Sequence, residues 1–470
     1  MDNRSKEFYD ILFDPWLPLT RETTSLTPIY IVDSEKHLPP SVCESHVKFA
    51  KNLGFFSSQG ERVFLPAEDG SILAVLIRLN LSVDRFNLGS CLARLPDGNY
   101  EIKTELQSDK ALETMIGFCL SAYRFELYKK KRCDFGVKIF VPSGIDFDKL
   151  GAFVKSEYFV RNLINTPASD LGPKSLERAI EFFCHKMKAN FTAIIGDQLL
   201  KSNFPLIHAV GRAGSEAPRL AKFTWGNPNS YKITLVGKGV CFDTGGLNVN
   251  PDASMAAMKK DMGGAASALG LANCIISLKL DVYLTVIIPI VENSISSNSF
   301  RPGDILSSRK GLDVEVNNTD AEGRLILADA LSYADESRPD IIICMATLTG
   351  AARVALGQDI VPFYTESDEF SKLLSEGSVK NFDPIWRLPL HSEYEHMIES
   401  QIADLDNAPK SGMAGSITAA LFLNRFVENS KTFAHFDIYS WSSKTRPGRS
   451  VGGLMQAVRA IYYALEKSLM

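Results

Sequence analysis

The sequence lacks any stretch of the roughly 18 uninterrupted apolar residues that a membrane-spanning helix requires; LTVIIPIV at 284–291 has only the length of a strand. It has no HExxH among its seven histidines and no CxxC among its eight cysteines, which removes the zinc-helix and dithiol signatures. The cysteines are scattered, several within apolar strings such as IIICMATL (341–348), and read as buried free thiols of a reducing compartment. There is little excess charge. The 51 basic and 55 acidic residues leave a formal −4, which gives no overall attraction to nucleic acid or anionic membrane. The basic run YKKKRC at 128–133 reads as a solvated strand end or loop. The opening MDNRSKEFYDILFDPW carries acids where a signal peptide needs a basic start and an apolar stretch, so a cytoplasmic location is expected. His435, in FAHFDIYSW, reads as a core or hydrogen-bonded strand residue. With so few histidines, a metal site in this chain must be built mainly from carboxylates.

There is no internal repeat and no low-complexity linker, and 470 residues exceed one ordinary core, so two domains are expected. Residues 1–150 mix short apolar strings (PIYIVD, SILAVLIRL, VKIFVPS) with helical periodicity around 107–130 and read as a smaller α/β domain. From about 155 to 470 the pattern is regular. SEYFVRNLINTP reads as a helix halted before Pro167, and SLERAIEFFCHKM as a helix capped by Ser175. YKITLVGKG is a strand running into a glycine-rich loop, followed by the helix GGAASALGLANCIISLKL and the buried strand DVYLTVIIPIV. Then come the alternating strand LDVEVNNTD, the helix GRLILADALSYADE and the buried strand DIIICMATLTG. Such repetition predicts a larger domain with a mostly parallel or mixed central sheet covered by helices. The stretch DIYSWSSKTRPGRSVGG (437–453) reads as loop-rich after a buried strand.

Ligands of such sheets gather at the carboxyl ends of the strands. Lys238 and Asp243 fall there, among Gly237, Gly239, Gly245 and Gly246, and Asp261 opens the next helix. Asp320 and Glu322 follow the alternating strand, just before a helix starting at Gly323 or Arg324. Acids at helix N-termini also stabilise the helix dipole, which accounts for most of them taken singly. Four carboxylates together would repel one another without a counter-charge. Divalent cations resolve that repulsion, and oxygen-rich sites suit Mg, Mn or Zn. A pair of metals about 3.5–4 Å apart with a bridging hydroxide is a recurrent hydrolytic device.

At these residues the sequence resembles the leucyl aminopeptidase (M17 cytosol aminopeptidase) family. NTDAEGRL (318–325) matches the family signature without a gap, and VGKGVCFDTGG (236–246) and MKKDMGGAA (258–266) match two further segments. RNLINTPASDLGP (161–173), ATLTGAARVALG (346–357) and SGMAGSITAALFL (411–423) extend the likeness over essentially all the chain after 155. The N-terminal part is family-like in size and placement only. The resemblance implies a metal-dependent aminopeptidase with two divalent ions, Mn or Zn, and a metal-bridged hydroxide as nucleophile. Asp243, Asp320 and Glu322 would hold one ion, and Lys238, Asp243, Asp261 and Glu322 the other. The second ion and Asp261 would receive the free α-amine of a peptide. Arg324 would hold a bicarbonate ion as general base, with backbone groups near Ala321, Gly323 and Leu348 placing it. Met258, Thr347, Leu348, Gly350 and Ala414 would form the cleft and an apolar side-chain pocket. A homohexamer with peptide substrates is implied as well.

One position departs from the family. Its loop runs GG-x-x-x-Lys-Pro, with a lysine that polarises the scissile carbonyl; here it is Gly245-Gly246-Leu247-Asn248-Val249-Asn250-Pro251, so Asn250 stands in the lysine's place. No lysine lies between Lys238 and Lys259 to restore it. Three readings follow: a slow or specialised peptidase, an enzyme using another basic residue, or a metal-binding homologue kept for a binding or structural role. A DNA-binding oligomer is a further alternative, against which the net charge counts.

Overall fold

The computed structural model describes residues 9, 16–22, 24–32, 38–39, 42–57, 62–79, 86–129, 135–409 and 411–470. Residues 130–133 of the basic run and nearly all of the first 15 residues lie outside this set. The described chain forms two compact units. One runs from Asp14 to Tyr158 and includes Lys444–Val451; the other comprises Phe159–Ser443 and Gly452–Met470, and Tyr9 belongs with it.

The smaller unit holds six strands: β1 (Leu19–Thr20), β2 (Thr27–Ile31), β3 (Arg62–Pro66), β4 (Ile72–Ile77), β5 (Gly98–Ile102) and β6 (Val137–Phe140). They align in the order β1-β6-β5-β2-β4-β3, parallel except for the antiparallel edge pair β3–β4. Ile29 and Val75–Ile77 are fully buried in it, so the apolar strings of the sequence became its strands.

The larger unit is built on a nine-stranded mixed sheet. Its strands are β7 (Asn190–Ile195), β8 (Arg219–Gly226), β9 (Tyr231–Gly237), β10 (Gly239–Asp243), β11 (Val282–Asn293), β14 (Ile341–Ala346), β15 (Val361–Thr365), β16 (Ile385–Arg387) and β18 (Thr432–Asp437). The order is β16-β15-β18-β14-β9-β11-β8-β7, with β10 also paired to β11. The centre, β18-β14-β9-β11, is parallel, while β8 and β15 join antiparallel on either side. Central parallel strands are covered on both faces, and β14 is accordingly apolar and buried throughout. Ile342, Cys344 and Ala346 face a core shared with the helix Glu322–Asp335. Alternate side chains turn to the other face, where the almost wholly buried helix Gly263–Ser277 packs.

Three local expectations are corrected. The helix expected to start with Ser175 as its cap begins at Pro173 with Gly172 as N-cap, because proline's fixed φ and missing N–H suit the first helical position. The stretch expected to be loop after the strand YKITLVGKG (231–239) instead continues as β10, since Val240 and Cys241 bury themselves along β11. LDVEVNNTD does not join the main sheet. Only Asp313–Glu315 is strand (β13), and it pairs with β12 (Ile305–Ser307) and β17 (Leu405–Asp406) in a separate three-stranded sheet.

A buried acid ties this scaffold together away from the strand ends. Asp329, in the middle of the helix Glu322–Asp335, accepts backbone N–H bonds from Leu206 (2.8 Å), Ile207 (3.2 Å) and Arg309 (2.8 Å). Burial pushes its carboxyl up to about 7, against the pull of those three donors. Asp329→Ala strands three donors and is expected to cost about 3 kcal/mol or more, read as a lowered denaturant midpoint. A raised folded-state value adds stability in acid that is lost as pH climbs through about 7. Asp329→Asn should therefore flatten the stability profile between about pH 4 and 7.

Candidate dinuclear metal centre

Lys238 leaves the sheet between β9 and β10 and is buried to 3 % exposure. Its Nζ lies 2.8 Å from Asp261 Oδ2 and 2.9 Å from Glu322 Oε1, and it donates to the Thr347 carbonyl at 3.0 Å. The ammonium can pass only because residue 323 is glycine: a Cβ there would stand 2.5 Å from Lys238 Cε. Burial pulls the amine's pKa down, but Asp261, Glu322 and Asp243 together overcome this and push it up.

The carboxylates converge as the spacing implied. Ligand oxygens of Asp243, Asp320 and Glu322 lie within 4.8 Å of one another. Asp243 ends β10, where its Oδ1 accepts from Gly245 N–H and Asn293 Nδ2, both at 2.8 Å. Glu322 opens its helix fully buried, and among the described residues its Oε2 has no hydrogen-bond donor. Its Oε1 and Asp261 Oδ2 meet only the Lys238 ammonium, at 2.9 and 2.8 Å. Asp261 Oδ1 accepts from Thr347 Oγ1 at 2.7 Å.

Burial, reinforced by Glu322 and Asp261 and opposed by Lys238, holds the Asp243 carboxyl well above the carboxylate range. Burial pushes Glu322 up to about 7, with Lys238 pulling the other way. Asp320 is likewise raised, mainly by burial. Several buried carboxylates that share one ammonium, with an oxygen left without a donor, form an unfavourable arrangement unless cations complete it. The donor set of four carboxylates and one amine suits divalent Mn or Zn. The amine would have to shed its proton to become a ligand.

The returning loop explains the asparagines of the sequence. Gly245 adopts φ +88°, and a Cβ there would stand 2.3 Å from the Asn248 carbonyl, so the chain doubles back tightly. Asn248 and Thr319 then lock the loop to the NTDAEGRL segment. Asn248 N–H donates to Thr319 Oγ1 and Thr319 N–H to Asn248 Oδ1, each at 2.8 Å. Thr319 Oγ1 donates to the Gly245 carbonyl at 2.6 Å. Asn250 is placed by its N–H to the Thr244 carbonyl (2.8 Å), and its Nδ2 donates to Asp320 Oδ1 at 2.6 Å. Asn250 thus grips a carboxylate of the centre.

Arg324 follows Glu322 into the helix and is buried with Nε and Nη1 unpaired among the described residues, its guanidinium 5.8 Å from the Phe422 ring centroid. Burial pulls it down to about 10, against the attraction of Asp437, Glu322 and Asp406. Two orphaned N–H groups suit an oxyanion. The Ala321 N–H bonds the Asn318 carbonyl (3.2 Å) and the Leu348 N–H bonds Asp437 (3.1 Å), so those two amides are already engaged. Of the cleft residues, Thr347 meets Asp261, Met258 opens the turn Met258–Met262 that carries Asp261, and Gly350 starts the helix Gly350–Leu356. Ala414 takes φ +52° ahead of the helix Gly415–Asn424, whose first residue comes up against Ala351.

Asn248, Asn293 and Asp437 were not singled out from the sequence. Asp437, 2 % exposed at the end of β18, accepts from Leu348 N and Thr349 N (3.1 Å each), Thr349 Oγ1 (2.6 Å) and Ser416 Oγ (2.8 Å). It holds the loop that brings Thr347 to Asp261. Only its place at a buried strand end hinted at this. His435 is fully buried in the same strand and stacks on Tyr364, with burial pulling it down to about 4.

A mixed α/β sheet with four crowded carboxylates, a lysine and a buried arginine at its strand ends defines a metallohydrolase of the carboxylate-ligated kind. The chain belongs to the M17 cytosol aminopeptidase family: residues 158–462 match the cytosol aminopeptidase family's catalytic domain, and residues 42–142 match the M17 aminopeptidase N-terminal domain. It is a leucyl-aminopeptidase-type metallo-exopeptidase. The second match extends the likeness into the N-terminal part, where the sequence offered only size and placement. The chain is 37% identical to a cytosol aminopeptidase of Encephalitozoon cuniculi over 332 residues, 70% of this chain and 68% of that one. The crystal structure of a cytosol aminopeptidase from Coxiella burnetii superposes with TM-score 0.91 at 38% identity, covering 96% of this chain and 99% of that one. A bottromycin maturation enzyme, BotP, in complex with Mn superposes with TM-score 0.84 at 26% identity, covering 94% and 99%. Among the described residues no helix is long and apolar enough to cross a membrane.

Proposed function

We propose that this chain removes the N-terminal residue from peptides with two divalent cations, Mn or Zn, held by Lys238, Asp243, Asp261, Asp320 and Glu322. The observation that carries this reading is Glu322: a fully buried carboxylate whose Oε2 has no hydrogen-bond donor among the described residues and whose Oε1 meets only the Lys238 ammonium, packed against Asp243 and Asp320. The cations, when bound, supply Lewis-acid polarisation and a water acidic enough to deprotonate near neutral pH. Every other part falls to the chain's own groups. Asp261, fixed by Thr347, is placed to take the peptide's free α-amine, which confines cleavage to the first residue. Arg324, through its unpaired Nε and Nη1, would hold a bicarbonate ion acting as base toward the attacking water. Asn250 orients Asp320 and leaves carbonyl polarisation without the lysine of the family. The apolar first residue that the resemblance implies would rest on Met258, Leu348 and Ala414.

Metal binding is testable apart from turnover. At 100 times its dissociation constant, a ligand that binds only the native state adds about 2.7 kcal/mol. Mn or Zn should therefore raise the melting temperature by about 5 °C, and Glu322→Ala should abolish the rise. An equal rise in that variant would contradict the assignment. Assembly as a homohexamer is part of the same proposal, and sedimentation equilibrium should return six times the chain mass. The catalytically silent alternative rests on Asn250 alone.

A further inference from the structure

We propose that the side-chain pocket of this site takes an acidic first residue, glutamate or aspartate, through the buried ammonium of Lys260 with Arg353 beside it. The proposal rests on the aminopeptidase reading and names its substrate class.

The two neighbouring lysines of MKKDM behave differently. Lys259 donates to the Asn165 carbonyl at 2.7 Å. Lys260 is at 4 % exposure, and its ammonium makes no hydrogen bond or ion pair among the described residues. That ammonium lies 5.0 Å from the centroid of the Tyr439 ring, and the guanidinium of Arg353, an exposed residue, lies 4.6 Å from the same centroid. The Arg353 side chain also has no hydrogen bond or ion pair among the described residues. Two like charges thus share one ring without a carboxylate bonded to either. A cation–π contact offsets only part of the cost of a buried, unpaired charge.

The acids of the centre do not fill this need. Asp261 and Asp243 attract Lys260, while Lys238 and Arg353 repel it. Asp261 is already engaged by Thr347 and Lys238. Divalent cations in the carboxylate set would cancel the remaining attraction and leave Lys260 among like charges. An arriving carboxylate removes the conflict. The location fits a substrate side chain: Lys260 shares its short turn with Met258 and Asp261, and a Cβ on Gly350 would stand 3.4 Å from Arg353 Nη2. Both cations therefore neighbour residues that the family resemblance assigns to the side-chain pocket, Lys260 next to Met258 in the chain and Arg353 next to Gly350.

The test compares kcat/KM of the Mn-loaded full chain on glutamyl- and leucyl-p-nitroanilide, in the wild type, Lys260→Met and Lys260→Glu. A charge-assisted hydrogen bond lost from a buried pair corresponds to about a 10- to 100-fold change. We expect the wild type to favour the glutamyl substrate, Lys260→Met to lower the glutamyl/leucyl ratio by about 10- to 100-fold, and Lys260→Glu to shift preference toward arginyl-p-nitroanilide. A wild type favouring the leucyl substrate, or a ratio unmoved in Lys260→Met, would overturn the proposal and leave the aminopeptidase reading standing. Turnover of neither substrate would sink that reading instead. The pocket is then judged by the melting temperature of the Mn-loaded protein with free L-glutamate or L-leucine. Greater protection by glutamate, lost in Lys260→Met, supports the acidic pocket, and equal or reversed protection overturns it.

Discussion

Glu322→Ala is expected to lower peptide turnover by at least about 10³-fold, equivalent to roughly 4 kcal/mol of transition-state stabilisation. Glu322 lies buried with Oε2 lacking a donor among the described residues and Oε1 paired only with Lys238, and it sits beside Asp243 and Asp320. No other side chain in that arrangement is placed to replace it. Loss of activity alone would not separate a missing ligand from a damaged fold, so the metal-free melting temperature is the control. Removing one of four crowded carboxylates relieves repulsion in the metal-free state, and Glu322→Gln should melt there at or above the wild type. Its gain on adding Mn should be the part that disappears. A variant that melts far below the wild type without metal would instead mark Glu322 as a scaffold residue.

Asn250→Lys is expected to raise kcat by about 10²-fold, because one well-placed donor to a developing oxyanion is worth about 10²–10³. The structure supplies the reason that Asn250 is a weaker donor than a lysine: one N–H of its Nδ2 is held by Asp320 Oδ1 at 2.6 Å, which fixes the uncharged amide against that carboxylate. The same bond predicts a second phenotype. Asn250→Ala removes the group that orients Asp320, and such supporting partners typically matter 10- to 100-fold in metal affinity. The two variants therefore separate along different axes, one in kcat at saturating metal and the other in the metal concentration needed. If Asn250→Lys lowers kcat and metal affinity together, the position is a support for Asp320 and the chain's chemistry does not need a lysine there.

The legible parts of the site share one property: their residues are close in the chain or lie at strand ends. Asp320 and Glu322 are two residues apart, and Lys238 and Asp243 flank β10, so spacing and the strand–helix alternation sufficed to bring them together. The same reasoning failed for LDVEVNNTD, whose alternation is real but serves a small separate sheet, because periodicity states which residues pair inward and not which sheet receives them. Ser175 failed for a different reason, since a proline two residues earlier starts the helix by itself. Asp437 and Asn248 were hidden because their partners are distant. Asp437 receives donors from residues 88 and 89 positions away, and Asn248 meets Thr319 across 71. Lys260 was legible as a lysine of the motif, but its burial without a partner is a fact of packing.

The most direct test of the metallo-exopeptidase account is mass spectrometry of a peptide pair, one with a free amino terminus led by glutamate and then leucine and one N-acetylated, incubated with the Mn-loaded protein. The account predicts loss of residues one at a time from the free amino terminus, no change in the acetylated peptide, and no product with Glu322→Ala. Cleavage inside the chain, equal cleavage of the acetylated peptide, or an untouched free peptide at full metal occupancy would contradict it.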